Sequence, residues 1–185
     1  MDGLKTPILS KRIPSWAQIL PVYGVVILLV YSWTILWFFW KLRSWLFFLS
    51  APEILTIGAY SLATNLLECL AVLGALVAAS MLLPRAWLYK NFVARGTAAA
   101  ISGLGYMMYV AFQFRTKDDY PTLLLKPWSV GAAAVIGLLL VLFAPRITIV
   151  RRVLEGLAER ATILVYLLTP LSLVALVTVL IRWII

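Results

Sequence analysis

From Ile54 to Leu83 the chain runs for 30 residues with one charged side chain, Glu68, and four further apolar runs of 17 to 22 residues flank it. About 20 apolar residues make one helical crossing of a hydrocarbon layer roughly 30 Å thick. A chain of 185 residues that is 64% hydrophobic and 12% charged has more apolar surface than a soluble fold can bury, since about 45–50% apolar residues is usual there. These patterns predict an all-α, polytopic integral membrane helical bundle, one domain over 1–185, with about five transmembrane helices at 19–40, 54–83, 96–114, 128–144 and 161–181. A six-crossing arrangement would split 54–83, but no turn signal interrupts that run.

Prolines punctuate the runs. Pro21 falls in the first turn of the first predicted helix, and Pro52, Pro84, Pro127 and Pro145 stand at boundaries, where a missing N–H costs least. Pro170 lies inside the fifth and predicts a kink. Lys5, Lys11 and Arg12 precede the first run, as in a secretory signal, but Lys41, Leu42 and Arg43 follow it in place of a cleavage site. The first run is therefore expected to be a retained helix.

The net charge of +9 comes from cations scattered at the ends of apolar runs, which build no continuous face for a nucleic-acid partner. Their distribution predicts orientation. With the N-terminus inside, ten cations lie on the inner side (Lys5, Lys11, Arg12, Arg85, Lys90, Arg95, Arg146, Arg151, Arg152, Arg160) and six on the outer (Lys41, Arg43, Arg115, Lys117, Lys126, Arg182). The positive-inside rule then places the N-terminus in the cytoplasm and the C-terminus outside. The expected location is the inner (plasma) membrane of a bacterium.

The connection 145–160 has a different character. Ile147, Val150, Leu154 and Leu157 recur at helical spacing, with Arg151, Arg152, Glu155 and Glu159 on the other side and an Arg151–Glu155 pair at i,i+4. This predicts a short amphipathic interfacial helix lying on the inner membrane surface, with Arg151 and Arg152 as a candidate docking surface for anionic lipid or a partner. A solvated linker helix would have the same pattern.

Chemistry is sparse. Histidine is absent, which removes the commonest metal ligand and the usual general base near neutral pH. Cys69 is the single cysteine, so neither an intramolecular disulfide nor a four-cysteine metal site can form. Asp118 and Asp119, before Tyr120 and Pro121, fit a solvated turn, and no phosphate-loop, nucleophile-elbow or dinucleotide pattern occurs. No catalytic residue, metal or cofactor is expected.

Polar residues inside the apolar runs carry the functional expectation. Ser61, Asn65 and Glu68, at steps of four and three, share one helix face with Thr64 beside them, and Ala71, Ala75 and Ala79 continue it. Small residues let helices approach closely, so this stripe predicts that the second helix is the centre of the bundle. A carboxylate at the middle of a membrane helix costs roughly 2.5–3.5 kcal/mol and turns to a bundle interior, a partner or a water-filled path. Ala98, Ala99, Ser102, Gly103 and Gly105, like Ser129, Ala133 and Gly137, read as packing faces. Trp33, Trp37 and Trp40 form one face of the first helix and read as an interfacial belt more readily than as a cage for a cation or a quinone-like ring.

Two functions follow as expectations. One is a non-enzymatic accessory or scaffold subunit of a larger membrane assembly, in contact with lipids and with other membrane subunits or further copies of itself. The other is a small transporter, channel or lipid- or ligand-binding protein that uses the Glu68 stripe.

Overall fold

The computed structural model describes residues 14–83, 88, 90–116 and 127–184. Among these residues the chain forms five helices and no strand: α1 (Trp16–Trp45), α2 (Ala51–Leu82), α3 (Phe92–Thr116), α4 (Pro127–Phe143) and α5 (Thr148–Ile184). Asp118, Asp119 and the amino-terminal Lys5, Lys11 and Arg12 lie outside the described residues.

The first two helices start earlier than their apolar runs because each is capped. Ser15 N–H donates to Gln18 Oε1 at 3.3 Å, and Ser50 donates to Glu53 Oε2 from both its N–H and its hydroxyl, each at 2.7 Å. A serine followed three residues later by Gln or Glu satisfies backbone donors that the first helical turn leaves unpaired. Pro21 therefore lies inside α1 rather than in its first turn, while Pro52 and Pro127 sit at helix starts as expected. Pro170 is interior to α5, which continues to Ile184. The run 54–83 stays one helix, which removes the six-crossing split.

α1, α2 and α5 are long and apolar enough to cross a membrane. α3 has 25 residues but is less apolar, and α4 is apolar but has only 17. At about 1.5 Å per residue, the 32 residues of α2 and the 37 of α5 measure roughly 48 and 55 Å, so both outrun a 30 Å hydrocarbon layer.

The centre of the bundle is α1, not α2. Of the apolar window in α1, 44% is buried, against 22% in α2 and 17% in α5. Val22, Val25 and Val26 are wholly enclosed, and α2, α3 and α5 all pack on α1. Gly24 explains the closeness of α5: a β-carbon there would lie 2.7 Å from the Ala161 carbonyl carbon and 2.8 Å from its oxygen and from the Thr162 nitrogen. α2 instead turns Ala71, Ala75 and Ala78 outward, while Ala79 packs near Leu88 and Ala98. The small residues of α2 line its open side, so the stripe does not mark a central helix.

The small-residue faces of the third and fourth helices pack against each other in part. A β-carbon on Gly137 of α4 would come within 3.2 Å of Ser102 Oγ on α3, and Ser129 is buried. Gly103 and Gly105 have nothing within 4 Å of their β-carbon positions, so they do not pack.

The predicted interfacial helix is not a separate element. Residues 148–160 form the first turns of α5, joined to α4 by a short turn. Val150 and Leu154 pack near Leu88, Val141 and Ala144, and Ala158 packs with Val25 and Ala161, so this face is held by protein instead of membrane. Ile147, Ile149, Val153 and Leu157 stay exposed. Leu154→Ser should therefore lower stability by about 1–3 kcal/mol through lost burial, and Leu157→Ser should change it little. Thermal unfolding in detergent measures the difference; equal losses from both would contradict this packing.

Candidate functional site

The polar residues of α2 meet a polar stripe on α1. Tyr31 is fully buried and shares a 2.6 Å hydrogen bond with Ser172 of α5, and one turn further along α1 the Thr34 hydroxyl donates to Asn65 Oδ1 at 2.9 Å. Tyr23 and Thr169 bury their hydroxyls against each other in the same core. Tyr23, Tyr31 and Thr34, at steps of eight and three, fall on one side of α1. That spacing is legible in the sequence, but an apolar run gives no sign of which of its hydroxyls will meet a partner.

Ser61, Thr64 and Asn65 line one open cleft of about 460 Å³ together with Thr34, Ile57 and Tyr60. The hydroxyl protons there are taken up inside the protein: Ser61 donates to the Ile57 carbonyl and Thr64 to the Tyr60 carbonyl, both at 2.9 Å. Asn65 is 5% exposed, and its Nδ2 is buried without an acceptor. An unmade hydrogen bond of this kind costs about 1–3 kcal/mol, so the cleft floor holds an unused donor beside hydroxyl oxygens with free lone pairs.

A second cleft of about 350 Å³ shares Thr34, Ile57 and Ser61 with the first and adds Trp37, Phe38, Lys41 and Trp45. A third, of about 650 Å³, shares Lys41 and Trp45 with the second and adds Trp40, Arg43, Ser44 and Phe47. The second cleft has walls in common with each of the others, so the three follow one another along the surface from the cationic end of α1 to Asn65, the third being walled by residues 40–47. Trp33, Trp37 and Trp40 stack edge to face at 5.6 Å per pair, which forms a ladder along the helix and encloses no cage.

Glu68 is not part of this path. It lies about 60° around α2 from Asn65, three residues at about 100° each, and it is exposed on the outer surface with Thr64, Leu67, Ala71 and Ala75. Sharing a face with Ser61 does not bring it into the cleft, because the buried side of α2 is centred on Asn65, Leu66 and Cys69. Arg151 and Arg152 are both exposed near the opposite end of the bundle, and Arg151 Nε pairs with Glu155 Oε1 at 3.1 Å, as its spacing predicts. In comparisons with known proteins, the chain matches no family, no curated protein and no solved structure.

Proposed function

We propose that this chain is a non-enzymatic accessory or scaffold subunit of a larger membrane assembly, crossing the inner (plasma) membrane five times with its N-terminus in the cytoplasm. The observation that carries this reading is Glu68, a carboxyl midway along an apolar helix and turned away from its own bundle. Lipid offers it no hydrogen bond, and the cost of leaving it there is roughly 2.5–3.5 kcal/mol. Its neighbours on that side, Ala71, Ala75 and Ala78, are small enough for another backbone to approach closely. A transmembrane helix of a partner subunit, presenting a hydrogen-bonding group to Glu68, fits both features.

Five crossings are supported by the packing of α3 against α1, α4 and α5, which draws the less apolar and shorter helices into the bundle. α3 keeps its polar side chains off the lipid partly by burial, as with Thr97, which is wholly enclosed.

Native mass spectrometry of the gently extracted protein tests the subunit reading. The wild type should carry a partner subunit, Glu68→Gln should retain it, and Glu68→Leu should weaken it about fivefold, the equivalent of a contact worth about 1 kcal/mol. Ala75→Leu, which blocks the approach without touching the carboxyl, should weaken it as well. A monomer in all cases would refute the subunit role. Ion flux in reconstituted vesicles that Glu68→Gln abolishes would favour transport instead.

A further inference from the structure

We propose that the path between the C-terminal half of α1 and the N-terminal half of α2 binds an anionic glycerophospholipid. Its phosphate would lie against Lys41 and Arg43, and its ester region would reach the floor at Thr34, Tyr60, Ser61 and Asn65. The argument begins with charge. Lys41 and Arg43 line one cleft at the end of α1 and pair with no carboxylate of the described residues, whereas Arg151 pairs with Glu155 at the other end of the bundle. Glu53, the nearest carboxylate in sequence, already accepts both hydrogen bonds from Ser50. Arg182 donates to Thr56 Oγ1 at 2.7 Å near the start of α2, which adds a third cation at this end of the molecule. Lysine and arginine form charge-assisted hydrogen bonds with phosphate oxygens.

Shape and polarity then select a lipid over a free phosphate. Below the cations the walls include Trp37, Phe38 and Ile57, largely apolar surface that suits an acyl or glycerol region better than a small hydrated anion. Thr34 lies seven residues before Lys41, about 10 Å deeper along the helix, and there the surface becomes polar again. Asn65, nearly wholly buried and with its amide nitrogen unpartnered, supplies a donor at that level, where Tyr60 also lines the cleft. Ester carbonyls are acceptors without protons, the complement of such a donor. An ammonium or hydroxyl ligand would meet two cations at the entrance, which excludes the first and gives no reason for the charge with the second. The site is independent of the Glu68 face, which lies outside the path.

The experiment uses the full chain in vesicles of equal phosphatidylglycerol and phosphatidylcholine, followed by extraction and native mass spectrometry of the retained lipid. Phosphatidylglycerol should be retained in preference. The double variant Lys41→Gln, Arg43→Gln should lower its retention about thirtyfold, from the contributions of two cations near a lipid surface, while Lys90→Gln with Arg160→Gln, two exposed cations outside the path, should leave it unchanged. Ser61→Leu, which fills the wall shared by two of the clefts while keeping every charge, should also lower it, with helical content as the check on folding. Equal retention of the two lipids, or retention unmoved by the Lys41 and Arg43 changes, would overturn the proposal. Displacement by glycerol phosphate alone would do so too, by making this a site for a soluble anion.

Discussion

Gly24→Ala is expected to destabilise the isolated chain by about 1–3 kcal/mol, although the same exchange elsewhere in a helix is favourable. Replacing glycine by alanine in a helix interior gains up to about 1 kcal/mol of propensity. At Gly24 the added methyl would meet three backbone atoms of α5 within 2.8 Å, and a helix backbone cannot step aside as a flexible side chain can. Overpacking of this kind costs about 1–3 kcal/mol, so the steric term outweighs the propensity term. Gly103→Ala is the matched control, because its β-carbon position is open and the sign should reverse. Unfolding of both variants in the same detergent measures the pair. A Gly24→Ala protein as stable as the wild type would mean that α1 and α5 do not cross at this point.

An all-or-none result is expected for membrane orientation. Lys90 precedes α3 and Thr116 ends it, and from the ten-to-six distribution of cations Lys90 is expected on the cytoplasmic side. Arg146, Arg151 and Arg152 lie at the end where Leu88 packs near Ala144 and Leu154. The six cations of the other group include Lys41, Arg43 and Arg182, and Arg182 bonds to Thr56 near the start of α2. In a Cys69→Ala background, Thr116→Cys should react with an impermeant thiol reagent in intact cells and Lys90→Cys should not. The reverse pattern would invert the topology. Cys69 is wholly buried, so its replacement removes background without opening the surface.

The helices themselves were legible in the sequence. A membrane demands about 20 apolar residues per crossing whatever the packing, and the capping pairs Ser15–Gln18 and Ser50–Glu53 were there to be read, though the apolar runs alone placed both helix starts three residues late. The clustering of Ser61, Thr64 and Asn65 followed from helical periodicity, which places residues three and four apart on one side. Periodicity does not say which side turns inward. In a soluble protein the apolar face would answer that, but lipid tails are as apolar as leucine, so a lipid-facing surface and a buried one draw on the same residues. The exposure of Glu68, the burial of Asn65 against Thr34, and the pairing of Tyr31 with Ser172 across 141 positions were therefore decided by tertiary contacts. So was the central position of α1, where one glycine admits the backbone of α5. The sequence by itself determined that this chain is a set of apolar helices with a few polar side chains inside them; which of those side chains face each other, and which face outward, depended on the shapes of the helix surfaces once packed.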